Sequence, residues 1–142
     1  MLTVSKTCSF DAAHLLGGHA GQCRNLHGHT YRVTVEVGAD PRTPGAPDDM
    51  VIDFKELKSI MAVQITERFD HAFMYCEQGA VEVELAEVLK RNGLKVVALP
   101  FRTTSENLAR HFYELLRPFV PVVSVIVSET AESAAKYESS AS

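Results

Sequence analysis

The sequence has no apolar run approaching the ~20 residues needed to span a bilayer, and it has no dense run of lysine and arginine. The first absence argues against a membrane-spanning helix. The second, with a formal net charge of −4, argues against nucleic acid as a partner. A signal-like apolar stretch is also missing: from Leu2 onward, Thr3, Val4, Ser5 and Lys6 mix polar and apolar residues. Cysteine is scarce and odd in number, Cys8, Cys23 and Cys76, with no even framework of spacings. Free thiols suit the cytoplasm, which is the expected compartment.

What is present is ordinary for a folded protein. The 142 residues, 46% hydrophobic and 23% charged, are enough for one domain with a buried core. A single domain over 1–138 is expected, with a Ser/Ala-rich tail, 139–142, frayed at its end.

Leu2, Val4, Cys8 and Phe10 alternate with polar residues, the period of a half-buried strand. The Gly-rich stretch Leu16 to Gly21 interrupts it, and alternation resumes at Tyr31, Val33, Val35 and Val37. Asp40 to Asp49, with three prolines and a glycine, reads as a loop. Asp53 and Glu56 have capping-box spacing ahead of a helix whose stripe is Phe54, Leu57, Met61 and Ile65, beside Ile60. Cys76 lies in a turn-like stretch. A shorter helix is expected over Val81 to Arg91, with Val81, Leu85, Val88 and Leu89 inward, and Leu94 to Leu99 reads as a short strand or an extended connection. Thr103 to Glu106 repeats the capping pattern and opens a helix through Leu108, Phe112, Leu115 and Leu116, ended by Pro118. Val122 to Val127 is a β-branched strand, and Ala134 to Glu138 a short last one. This order predicts an α+β fold, a four-stranded antiparallel sheet with helices on one face. Its open edges call for cover, often by another subunit.

The sharpest chemical feature is His27-Gly28-His29 at the start of the second strand. Residues i and i+2 of a strand share a face, so the two imidazoles can converge on one ion. His14, at the end of the first strand, would be returned beside them by a hairpin. Three imidazoles with one position free are the arrangement of a catalytic zinc. An isolated pair of this kind reads first as polar surface histidines; the third histidine brings the metal reading level with that one. Cys23, four residues before His27, is open to three readings: a fourth ligand, a thiolate made reactive by the dication and Arg24, or an ordinary loop cysteine. Asp70-His71 follows a helix end. An Asp can fix a histidine tautomer, but neighbours in sequence tend to point apart, so alone the pair reads as a polar cluster. Glu129 ends a valine-rich strand, where it would suit a heterocycle offering two N–H donors or would simply be a solvated strand end. His19 and His111 read as loop and helix-surface residues.

Six segments in order resemble the 6-pyruvoyl-tetrahydropterin synthase family, and in particular its 6-carboxytetrahydropterin synthase branch. They are Phe10-Asp11-Ala12-Ala13-His14; Cys23-x-x-x-His27-Gly28-His29; Val51-Ile52-Asp53-Phe54-x-x-Leu57-Lys58; Phe69-Asp70-His71; Thr104-Ser105-Glu106-Asn107-Leu108; and Ser128-Glu129-Thr130. The resemblance implies that His14, His27 and His29 bind zinc and that Cys23, Asp70 and His71 form a catalytic triad. It implies that Glu129 anchors a pterin ring, with Thr104 and Ser105 nearby. The implied substrate is 7,8-dihydroneopterin triphosphate, on the route to queuosine. The implied fold is the T-fold, or tunnelling fold, whose sheets join into a trimeric barrel, two trimers stacking as a homohexamer with active sites between subunits. The cysteine spacing is that of the 6-carboxy branch; the 6-pyruvoyl synthases set it further upstream. Residues 76–100 form an insert that the shortest members lack. The rivals are a 6-pyruvoyl-tetrahydropterin synthase and a non-catalytic, zinc-stabilised pterin- or purine-binding oligomer.

Overall fold

A computed structural model describes residues 1–42, 44 and 48–140. The loop expected over Asp40–Asp49 and the tail 139–142 therefore lie partly outside the described residues.

The two alternating segments form a long hairpin. Strand β1 (Leu2–His14) pairs antiparallel with β2 (His27–Ala39) in unbroken register, from Leu2 opposite Ala39 to His14 opposite His27. Strand β5 (Val122–Thr130) adds to β2, and β6 (Ser133–Glu138) to β5, both antiparallel. On the far side of β1 the chain departs from expectation. Strand β3 (Ala72–Cys76) pairs parallel with β1, and β4 (Val96–Leu99) parallel with β3. The sheet is thus six-stranded and mixed, in the order β4-β3-β1-β2-β5-β6, rather than four-stranded and antiparallel. All five residues of β3, Cys76 included, are buried. A strand covered on both faces shows no alternation, which is why it resembles a turn-bound apolar run in the sequence.

One face carries the larger core. Helix α1 (Phe54–Met61) is capped by Asp53, which accepts the Lys55 N–H at 2.8 Å. It continues through a π-helical turn, Ala62–Thr66, into a last turn, α2 (Glu67–Phe69). Leu57, Met61, Ile65 and Phe69 are buried against Phe10, Tyr31 and Val33, while Phe54 stands out in solvent. Helix α4 (Ser105–Leu116) covers the rest of this face with Leu108, Phe112 and Leu116. Its cap is Thr104, accepting from Asn107 N–H, one residue later than the spacing suggested.

The opposite face carries helix α3 (Ala80–Arg91), so the helices are not confined to one side. Ala86 packs with Leu15, Phe73 and Tyr75, flanked by Leu85 and Leu89. Val81 and Val88, expected inward, are exposed; Glu82 takes the buried place. The acid is tolerated because both of its oxygens are occupied. One accepts the Cys76 N–H, the other the Gly17 N–H at 3.5 Å. Gly79 makes room for it, since a Cβ there would lie 2.9 Å from the Glu82 carboxyl carbon. Among the described residues no helix is long and apolar enough to cross a membrane.

Candidate functional site

Because β1 and β2 pair in register, His14 lies directly opposite His27, and Ala12 opposite His29. All three histidines fall on the face that carries the larger core, at the end of the hairpin. Their ring centroids are 4.6–5.2 Å apart, and one ligand atom from each lies within 4.8 Å of the others. They are close enough to hold a metal ion. Two nitrogens each 2.0–2.1 Å from a tetrahedral zinc stand roughly 3.3 Å apart; Nε2 of His27 and Nε2 of His29 are 3.1 Å apart.

The remaining ring nitrogens fix which atoms can bind. His14 Nδ1 lies 3.0 Å from both the carbonyl oxygen and the hydroxyl of Thr103. A carbonyl only accepts, so Nδ1 carries the proton and donates it. His27 Nδ1 donates to the Asn25 carbonyl at 2.7 Å in the same way. Both rings therefore present an unprotonated Nε2. That of His14 is buried without any hydrogen-bond partner. Such an atom is costly, and an ion among the three rings satisfies it. Burial above all, then the neighbouring His27, lowers the His14 pKa to about 4, and burial first also lowers that of His29. Neutral imidazole is the ligating form.

Cys23 is half-buried in a single 3₁₀ turn, Gln22–Arg24. It is not grouped with the three histidines among the described residues. The Cys23 carbonyl accepts the Leu16 N–H at 2.8 Å, drawing the loop shut.

Glu129 enters from β5 at a β-bulge. Ser128 pairs with Ala134 and Thr130 with Ser133, leaving Glu129 as the extra residue. Its carboxylate reaches 3.6 Å from His29 Nε2. It shares a cavity of about 670 Å³ with Thr104, Ser105, Arg102 and Lys136.

Asp70 and His71 do touch. His71 adopts a left-handed backbone, φ +62°, which swings its ring back so that Nδ1 donates to Asp70 Oδ2 at 2.9 Å. The Asp11 N–H donates to the other Asp70 oxygen at 2.9 Å. That bond first, and the His71 contact after it, holds the Asp70 carboxyl below its ordinary pKa against partial burial. The pair belongs to a different cleft from Glu129. This second cleft, about 650 Å³, is floored by Asp11, Ala13, Gly28 and Thr30 and walled by Leu85, Leu89 and Leu94, with His71 in its lining.

Two residues of the site escaped sequence reasoning. Thr103 is 1% exposed and orients His14; its only signal was a threonine that looked like a helix cap. Tyr31 packs against His29 and His14, with centroids at 5.4 and 6.0 Å, and its buried hydroxyl has no partner. Its place two residues after His29 was the available clue. His111, expected on a helix surface, is instead half-buried beside Phe69, Phe101 and Phe112.

Comparison with known proteins gives the family and the fold. A family model described as 6-pyruvoyl tetrahydropterin synthase matches residues 3–140. A protein of Haemophilus influenzae named 6-carboxy-5,6,7,8-tetrahydropterin synthase is 42% identical, covering 97% of this chain and 99% of its own. One of the same name from Aquifex aeolicus is 34% identical over 95% of this chain and 96% of its own. Among solved structures, an uncharacterized protein from Wolinella succinogenes superposes with a TM-score of 0.81 at 22% identity, covering 98% of both chains. The 6-pyruvoyl tetrahydropterin synthase of Caenorhabditis elegans superposes with a TM-score of 0.68 at 26% identity, over 98% of this chain and 96% of that one.

Proposed function

The chain belongs to the 6-pyruvoyl tetrahydropterin synthase family, and from that premise we propose that it is a zinc-dependent 6-carboxytetrahydropterin synthase. It converts 7,8-dihydroneopterin triphosphate and one water to 6-carboxy-5,6,7,8-tetrahydropterin, acetaldehyde and triphosphate, in the cytoplasm, as a step toward queuosine. The observation that carries the reading is the partnerless Nε2 of His14, buried beside those of His27 and His29 and close to Glu129. The choice of branch rests on the Haemophilus influenzae relative and on the spacing of Cys23 from His27.

Three histidine nitrogens, with no fourth ligand grouped with them among the described residues, suit zinc with an open position. Zinc held there supplies a Lewis acid for the hydroxyls of the substrate side chain. Glu129 accepts from the guanidine-like edge of the pterin, with Thr104 and Ser105 closing the same cavity. Cys23, as a thiolate, takes a proton from the side-chain carbon. Asp70 holds His71 as the Nδ1–H tautomer, leaving Nε2 to move a second proton. Elimination of triphosphate, and cleavage of the carbon–carbon bond by one water that supplies the new carboxylate oxygen, then give the products.

Residues 1–138 act as one domain, and the working unit is a homohexamer of two stacked trimeric barrels. Supporting this, Glu129 and the exposed His71 line separate clefts of one chain, so a second copy is needed to join them.

Product analysis tests the proposal. Zinc-loaded protein given 7,8-dihydroneopterin triphosphate is expected to release acetaldehyde, read by coupled alcohol dehydrogenase, and a 6-carboxylated pterin, read by mass spectrometry. A 6-pyruvoyl product without acetaldehyde would move the chain to the sibling branch. Tight pterin binding without turnover would make it a binding protein. Cys23→Ala serves as the control: it should keep its zinc and lose turnover by ~10²-fold or more, whereas loss of zinc would make Cys23 a ligand.

A further inference from the structure

Lys95 sits just ahead of β4, at the end of the insert, and it reaches out of the insert to the segment that carries His71. Its ammonium donates to the carbonyl oxygens of Glu67 at 2.8 Å and of Asp70 at 2.7 Å. These carbonyls lie at the C-terminal end of α2, where no intrahelical N–H is available to them, and a cation there is favoured. The lysine is itself anchored from below, since its own carbonyl accepts the Phe73 N–H at 3.1 Å.

The peptide it grips is under strain. A left-handed backbone is disfavoured for a residue with a Cβ, so the φ of +62° at His71 must be imposed by its surroundings. Two of the restraints come from β1: the His71 N–H donates to the Asp11 carbonyl at 2.6 Å, and the Asp11 N–H donates to Asp70 Oδ1. The third is Lys95. We propose that Lys95 is a positioning residue, whose ammonium fixes the Asp70 carbonyl so that His71 keeps its Nδ1–H bond to Asp70 and presents Nε2 outward. The insert then has a part in the reaction, carried by its lysine. The inference rests on the reading of His71 as a proton-moving group.

The test uses the full-length, zinc-loaded protein with Lys95→Met, Lys95→Arg and His71→Ala variants. Lys95→Met is expected to lower kcat tenfold or more at unchanged KM and zinc content. Lys95→Arg, which keeps a cationic donor, is expected to return kcat to within about threefold of the wild-type value. Nitrogen-15 spectra of the His71 ring should show the single Nδ1–H tautomer in the wild type and a mixture in Lys95→Met. The inference is overturned if kcat of Lys95→Met stays within twofold of wild type while His71→Ala is inactive. If His71→Ala itself keeps full activity, the reading of His71 has failed, and the ring spectrum alone decides. An unchanged tautomer in Lys95→Met then overturns the inference, and a mixed one upholds Lys95 as the residue that positions the ring, while its part in the reaction falls with the reading of His71.

Discussion

Along the β1–β2 hairpin the placement of a side chain follows from parity, whereas between Phe69 and Leu99 it follows from individual hydrogen bonds. In the hairpin, Phe10, Ala12 and His14 turn toward the core and Asp11 away from it. Pairing His14 with His27 then gathers three imidazoles with no further device. In the second region parity says little, because β3 is buried on both faces. There the side chains of Asp70, Glu82 and Lys95 each hold a particular backbone group. Regular pairing places the three histidines of the proposed metal site, and irregular, charge-held backbone places the mobile-proton chemistry proposed for Asp70 and His71.

The hardest test of this contrast is to break each region separately. His29→Ala should take metal content from about one zinc per chain to nearly none, read by elemental analysis, and turnover with it. A variant that keeps full occupancy would remove His29 from the metal site. Met74→Ala should do the reverse: it leaves a cavity under β3, lowers stability by ~2–5 kcal/mol in urea unfolding and keeps its zinc. Loss of zinc in Met74→Ala would mean that the two regions are coupled, and the contrast drawn above would fail.

A smaller effect lies in the pH dependence of zinc-free protein. His14 has a folded pKa of about 4 against an ordinary 6.5, so between these values the unfolded chain binds the extra proton. The stability tied to a neutral His14 is fully present above pH 6.5 and is lost as the pH falls toward 4. Its share should be on the order of 2–3 kcal/mol, measured in chelator as the difference between wild type and His14→Gln across a pH series. Equal pH slopes for the two proteins would show that burial does not control this ring. The smallest expected change is that of Thr103→Val. It deletes the hydroxyl and keeps the carbonyl bond to His14, so zinc affinity should weaken by about tenfold or less. A hundredfold loss would move the main hold on the ring from the carbonyl to the hydroxyl.

The hairpin was legible because its signals were local and periodic. The alternation of Val33 and Val35 and the spacing of His27 and His29 gave the face, and the position of His14 gave the partner strand. The buried stripe of α4 through Leu108, Phe112 and Leu116 was legible for the same reason. What failed was whatever depended on a second covering layer. Ala72–Cys76 gave no alternation, and Val81 and Val88 were read inward because nothing in the sequence says that Gly79 leaves room for Glu82. The shift of the α4 cap from Thr103 to Thr104 has a similar cause, since Thr103 is claimed by a ring 89 positions away in sequence. The touch between Asp70 and His71 needed a backbone conformation that a histidine rarely adopts.

The pairing of His14 with His27 has an evolutionary corollary. Those two residues close the hairpin, so everything between them is a detour whose length leaves the strand register untouched. Residues 16–26 can be lengthened, shortened or rewritten while His14, His27 and His29 stay where they are. Cys23 travels on that detour, its carbonyl held by the Leu16 N–H, while the Gly17 N–H ties the same loop to Glu82. The metal site and the thiol are thus inherited as separable modules. Natural or designed variation in which product is released should therefore concentrate in this loop and leave the two strands unchanged.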